Sequence, residues 1–261
     1  MATQQPRRRH SPQPRLRTAF VLIVWAVLGW TVDARAGCVP KDLAIAVDAG
    51  HGPKSPGAAS ATGAAEYDFN IRLARQVATA LERAGFARAF LLDPIGVGLP
   101  PAARAARANA ARAGLLISIH HDSVQPQFLE PWSVNGTPRR FCDRFAGYSI
   151  FYSGKNAKAA ASLSLARLIG QELRSAGLTF TSHHAADIPG ERRVLVDDAV
   201  GVYRYDGLAV LGVADMPAVL LEAGVIVNRR EEAELAGAAR QHRTAVAVAG
   251  AVAAWCAGRR P

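Results

Sequence analysis

Cysteine is scarce in this chain: the 261 residues hold three, Cys38, Cys142 and Cys256. They form no Cys-x-x-Cys, which argues against a thiolate metal site. Aromatic residues make up only 7%, and they do not interleave with basic residues into a stacking platform. The formal net charge of +10 therefore does not point to nucleic acid. There is no internal repeat and no low-complexity tail at the C-terminus. The apolar run beginning at Ala19–Leu28 is too short for a comfortable membrane span.

What is present is enough for a core. Half of the residues are hydrophobic, and the length suggests one domain plus an appendage. The appendage is residues 1–36. Arg7, Arg8, Arg9, Arg15 and Arg17 precede the apolar run, and Ala34-Arg35-Ala36 is a small-x-small cleavage site, so this segment reads as a secretory signal peptide. The expected location is periplasmic or secreted, with no stable membrane span after cleavage. Residues 1–36 hold six Arg and one Asp, and residues 37–261 hold 25 basic and 20 acidic residues. The remaining domain is mildly basic, which suits an anionic polymer such as cell wall. An oxidising compartment permits a disulfide. Cys38 and Cys256 lie near the two ends of the domain, and termini are often close in space, so they are the expected pair.

Residues 37–261 alternate strand and helix signals. Leu43–Val47 is a short apolar run, the pattern of a strand covered on both faces. A helix pattern follows Glu66 and stops at Gly85. Phe86–Leu92 reads as a strand, and Pro100-Pro101 open an Ala/Arg-rich helix. Leu115–His120 reads as a third strand, Tyr148–Ser153 as another, and Ala157–Gly177 as a long helix. Gly207–Val213 and Ala218–Leu221 read as two more strands, and a closing helix runs from about Ala238 to Trp255. This order predicts a single α/β domain: a mainly parallel twisted sheet of about six strands with helices on both faces. Two stretches break the rhythm. Residues 124–147 are rich in Pro, Arg and aromatics and look like an insertion. They are a lid, a docking place for an activator protein, or a plain surface loop. Residues 178–206 are irregular and polar, and His183 and His184 within them are expected to be solvated, with a substrate contact as the alternative.

The chemistry gathers where apolar strands end. Asp48-Ala49-Gly50-His51-Gly52 closes the first strand, with the glycines expected to take the unusual backbone angles. His120 closes the third strand and Glu222 the last, while Glu66 stands at the mouth of the first helix. The carboxyl ends of strands in open α/β sheets share one rim. Two imidazoles and one carboxylate, His51, Glu66 and His120, make a catalytic zinc set with a fourth position left for water. Glu222 is then placed as general base and acid. His121 neighbours His120 and must face the other way along the strand, as a pocket or surface residue. Asp48 is expected to orient a ligand imidazole or to cap a helix or turn, and Asn228 to cap a helix start.

The ordered set resembles a known family. Asp48-Ala49-Gly50-His51-Gly52, Ser55-Pro56-Gly57-Ala58, Glu66, Ser118-Ile119-His120 and Leu221-Glu222-Ala223-Gly224, with Asn228 and Glu231-Glu232, is similar to the zinc-dependent N-acetylmuramoyl-L-alanine amidases of the amidase type 3 family. The resemblance covers about residues 43–256. It implies hydrolysis of the amide joining muramic acid to the first L-Ala of the peptidoglycan stem peptide. By motif position, His51, Glu66 and His120 would bind Zn2+ and Glu222 would be the catalytic carboxylate. The neighbours depart from the family pattern at Pro53, Ser55, Tyr67, His121-Asp122 and Ala223. Two alternatives stay open. One is an amidase or peptidase of similar fold acting on small N-acyl amino acids or soluble muropeptides. The other is a relative that binds wall without cutting it.

Overall fold

The computed structural model describes residues 1–3 and 37–261. The predicted signal peptide lies almost wholly outside the described residues. Within residues 37–261, no helix is long and apolar enough to cross a membrane.

Seven strands form the central sheet. They are β1 (Ile45–Ala49), β2 (Ala89–Leu91), β3 (Leu115–Asp122), then, after a separate hairpin of β4 (Glu130–Val134) and β5 (Thr137–Phe141), β6 (Ser149–Tyr152), β7 (Val194–Asp197), β8 (Val202–Arg204) and β9 (Ala218–Val225). Their order across the sheet is β2-β1-β3-β9-β6-β8-β7. The pairs β1–β2, β1–β3, β3–β9 and β6–β8 are parallel, whereas β6–β9 and β7–β8 are antiparallel. The expected class is therefore found, with one strand more than anticipated and two antiparallel pairings, β9–β6 inside the sheet and β8–β7 at its edge.

The helices are α1 (Glu66–Arg83), α2 (Pro101–Ala110), α3 (Ala159–Ser175), α4 (Ala209–Gly212), α5 (Arg229–Ala236) and α6 (Ala238–Cys256). Strand pleating sends alternate residues to opposite faces. Ile45, Val47, Ile117, Ile119, Val219 and Leu221 pack with Leu73 and Val77 of α1, Leu165 of α3 and Val248 of α6. Ala46, Leu116 and Leu220 pack on the other face with Ala105 of α2 and Val210 and Leu211 of α4. Apolar runs without alternation are thus explained by burial on both sides.

Three local expectations need correction. Gly207–Val213 does not form a strand; it holds the short helix α4. Its apolar run is compatible with either element, because periodicity cannot separate them at that length. Residues 178–206 are less irregular than their composition suggests, since they contain β7 and β8 and a 3-10 turn at His183–Ala185. Residues 124–147 hold the β4–β5 hairpin, whose tip Asn135-Gly136 has φ of 50° and 78°. Asn-Gly is the dipeptide that tolerates two positive φ values in a two-residue hairpin loop. The hairpin is tied down by Trp132, whose Nε1 donates to the Ala61 carbonyl at 2.9 Å.

Cys38 and Cys256 are disulfide-bonded, with Cα atoms 4.9 Å apart, and Cys142 is free and buried. The bridge joins positions 218 residues apart, so it removes much of the freedom of the unfolded chain. Cys38→Ser/Cys256→Ser is expected to lower unfolding free energy by roughly 2–5 kcal/mol, read as a lower urea midpoint than that of the oxidised wild type.

Candidate metal centre and active site

The strand order places the site. From β1 the chain moves out to β2 and then returns to β3 on β1's other side, so the sheet has a switch point between β1 and β3, where α/β sheets bind ligands. His51 follows β1 and His120 lies near the end of β3. Gly50 and Gly52 serve by their lack of a side chain: a Cβ on Gly50 would run into the His120 imidazole, and one on Gly52 into the backbone of Gly98. Neither glycine takes the unusual backbone angles expected of it. His51 itself takes the left-handed conformation, φ 65°, a strained choice for a residue with a side chain.

Glu66, in the first turn of α1, stands between the two imidazoles. Its Oε2 lies 3.1 Å from His51 Nε2, and its Oε1 lies 3.1 Å from His120 Nδ1. The rings of His51 and His120 are edge-on, with centroids 5.0 Å apart. Ala58 N–H and Asn70 Nδ2 donate to the same carboxylate, each at 3.1 Å. Burial opposes charge on Glu66, but its bonds to His120 and His51 outweigh that, and its pKa falls far below the ordinary carboxylate value. Gly57, at φ 80°, lets the loop pass against this group, since a Cβ there would strike Glu66 and His51.

Asn70 is a residue that sequence reasoning missed. It lies one helical turn beyond Glu66, the spacing at which helix side chains meet. Its Nδ2 also donates to the Gly50 carbonyl at 3.1 Å, and its Oδ1 lies 2.7 Å from His121 Nδ1. One amide thus links Glu66, the first turn and β3. His121 does face away from His120. It is neither a pocket nor a surface residue, being 2% exposed and packed against Phe69. Burial lowers its pKa to about 3.

Asp48 has a different role from the one expected. Its oxygens accept from Arg104 Nη1 and Ser118 Oγ, both at 2.7 Å, and not from an imidazole. Arg104 also donates to the carbonyls of Leu99, Ala49 and His51. Asp48 therefore acts on the turn that carries His51, through a buried guanidinium in the Ala/Arg-rich helix. Arg104→Met leaves Asp48 buried with its main ionic partner gone. It is expected to cost about 3–5 kcal/mol, measured by urea unfolding.

Glu222 lies on β9 directly opposite His120 in the parallel ladder. Its Oε2 is buried and has no hydrogen-bond partner. Burial, then the Asp122 and Glu66 carboxylates, raise its pKa well above the ordinary value. His51 and His120 line one hollow and Glu222 the adjoining one, and Leu208 and Leu220 border both. Asn228 caps α5: its Oδ1 accepts from Arg230 N and Glu231 N at 3.1 and 2.9 Å, while its Nδ2 holds the carbonyls of Asp143 and Phe145. Its side chain is fully occupied by structure.

His183 and His184 are not solvated. They are 3% and 8% exposed and sit beside Asp122. The polar composition of their loop concealed a pocket closed by Phe145, Phe151 and Tyr203.

Two imidazoles and a carboxylate within 4.8 Å of one another fit a divalent ion that favours nitrogen and oxygen donors. Over residues 45–254 the sequence matches the family Amidase_3, described as N-acetylmuramoyl-L-alanine amidase. The chain belongs to this amidase family. Among its relatives is the N-acetylmuramoyl-L-alanine amidase AmiC of Escherichia coli O6:H1, 25% identical over 83% of this chain and 54% of the relative. AmiC of Neisseria meningitidis serogroup B is 26% identical over 80% of this chain and 51% of the relative. The chain thus spans about half the length of these curated relatives. The catalytic domain of the amidase CwlV from Bacillus (Paenibacillus) polymyxa var. colistinus superposes with a TM-score of 0.60 at 25% identity, covering 80% of this chain and 96% of that domain.

Proposed function

We propose that this chain is an exported zinc amidase that cleaves the amide between N-acetylmuramic acid and L-Ala of peptidoglycan. The observation that carries the reading is the meeting of His51, Glu66 and His120 at one rim of the sheet, with Glu222 in register beside His120. Family membership supplies the substrate class, and the basic balance of residues 37–261 suits an anionic wall. The leader-like residues 1–36 support a periplasmic or secreted location.

His51, Glu66 and His120 would hold the zinc. A zinc ion bound there polarises the amide carbonyl and makes water a better nucleophile near neutral pH. Asn70 and the Ala58 amide keep the Glu66 carboxylate fixed, and Arg104 keeps the His51 turn in place. Glu222 takes a proton from the attacking water at Oε2 and delivers it to the departing amide nitrogen as the C–N bond breaks. A raised pKa makes the Glu222 carboxylate a stronger base toward the water and lets the protonated group persist until the amide nitrogen takes the proton. Leu208 and Leu220 line both the His51–His120 hollow and the Glu222 hollow and give the site an apolar wall.

The test is digestion of purified sacculi followed by mass spectrometry. Free stem peptides together with uncut glycan strands support the assignment. Release of peptide only from soluble muropeptides moves the substrate to wall fragments. Zinc binding without any peptide release overturns the enzyme reading.

A further inference from the structure

A second group of metal-type donors lies outside the site described above. Asp122 Oδ2, His183 Nε2 and His184 Nε2 lie within 4.8 Å of one another, and all three residues are buried. The two nitrogens are 3.1 and 2.9 Å from the one carboxylate oxygen. None of the three atoms has an aligned hydrogen-bond partner. Orphaned polar atoms are rare in folded interiors, and three converging on one point call for something between them.

We propose that Asp122, His183 and His184 form a second divalent-cation site of the zinc class. The far side of each ring is already committed. His184 Nδ1 lies 3.0 Å from Glu191 Oε2, and His183 Nδ1 lies 2.8 Å from Thr181 Oγ1. A carboxylate only accepts, so His184 Nδ1 carries the hydrogen, and in the neutral ring Nε2 is left as the lone-pair donor for a metal shared with Asp122. This carboxylate–imidazole arrangement is the one that orients metal-binding histidines elsewhere. Tetrahedral zinc with bonds of about 2.0–2.1 Å separates its donors by about 3.3–3.4 Å, close to the spacing seen. Without a metal, His184 would have to carry a second proton to donate to both Glu191 and Asp122, and that cation would lie against His183 with ring centroids 4.1 Å apart; a bound metal takes the place of that proton. One divalent ion satisfies all three atoms.

The walls hold the rings in place. Phe145 lies against His183, Phe151 packs edge-on to His184, and Tyr203 donates from its hydroxyl to the Thr181 carbonyl at 2.8 Å. The β3–β9 ladder shifts register between His120 and Asp122, and such irregularities re-aim a side chain. Asp122 is thereby turned from the His120 group toward His183 and His184. The cluster opens on a cavity of about 280 Å³ that Glu222 also lines, so an open coordination position would face the side of the cleft away from His51.

The test is metal stoichiometry on the full chain, stripped with chelator and titrated with Zn2+, with Co2+ as a spectroscopic probe of each site. The wild type is expected to hold two equivalents, and H51A/H120A and H183A/H184A one each. D122N keeps the shape and is expected to weaken the second equivalent about tenfold or more, which guards against misfolding of the double histidine variant. One equivalent in the wild type that disappears in H51A/H120A overturns the proposal, leaving the cluster a carboxylate–imidazole hydrogen-bond network. Two equivalents retained in a folded H183A/H184A also overturn it. These readouts do not depend on hydrolysis, so failure here leaves the amidase reading intact.

Discussion

Glu222→Gln is expected to slow the release of stem peptides from purified sacculi by about 10²–10⁴-fold. Gln keeps the size and the hydrogen-bonding reach of the side chain but cannot take up a proton. Glu222 is not among the three clustered donors, so metal bound by His51, Glu66 and His120 should be retained. The fold should be retained as well, because the Glu222 Oε2 has no partner to lose. Removing a buried carboxyl that is crowded by Asp122 and Glu66 should if anything leave the protein equally or more stable. The combination expected is therefore specific: unchanged metal content, an unchanged or higher urea midpoint, and turnover near background. Loss of metal together with activity would mean that Glu222 acts as a ligand and not as a proton carrier.

Glu66→Gln is expected to remove the metal itself. The carboxylate faces both imidazoles, one through each oxygen, so neutralising it takes the anionic donor from the set and leaves two neutral rings. Bound zinc in this site should fall to near zero in protein dialysed against weak chelator, and peptide release should fall with it by at least about 10²-fold. The same end point should follow from exhaustive chelation of the wild type, with recovery when zinc is returned. The variant should not recover at the same zinc concentration. Elemental analysis by mass spectrometry, read beside the sacculus assay, checks both arms.

Much of this site was legible because each candidate ligand interrupts an apolar run. His51 and His120 stand where buried strands give way to polar groups, and Glu66 starts a helix whose next turns are apolar on one side. A polar residue at the end of a strand covered on both faces invites a functional reading, although His121 shows that a buried structural role is the other outcome. Asn70 was readable too, as the polar residue one turn after Glu66, but an Asn on a helix has many bland uses. Arg104 was hidden because an Ala/Arg-rich helix suggests a solvated basic face, whereas this one side chain is drawn inward by Asp48 and three carbonyls. His183 and His184 escaped for a related reason: their loop is polar, and only the tertiary placement of Phe145, Phe151 and Tyr203 makes their surroundings dry. The β4–β5 hairpin carried its signal in plain view at Asn135-Gly136, but the Pro and Arg residues around it obscured the alternation. The short helix α4 could not have been separated from a strand by pattern alone.

The most direct check is anomalous diffraction at the zinc edge from crystals of the zinc-loaded protein. A peak bonded at about 2.0–2.2 Å to His51, Glu66 and His120 is expected, irrespective of any second peak beside Asp122. Crystals of fully active enzyme with no peak among those three residues would contradict it.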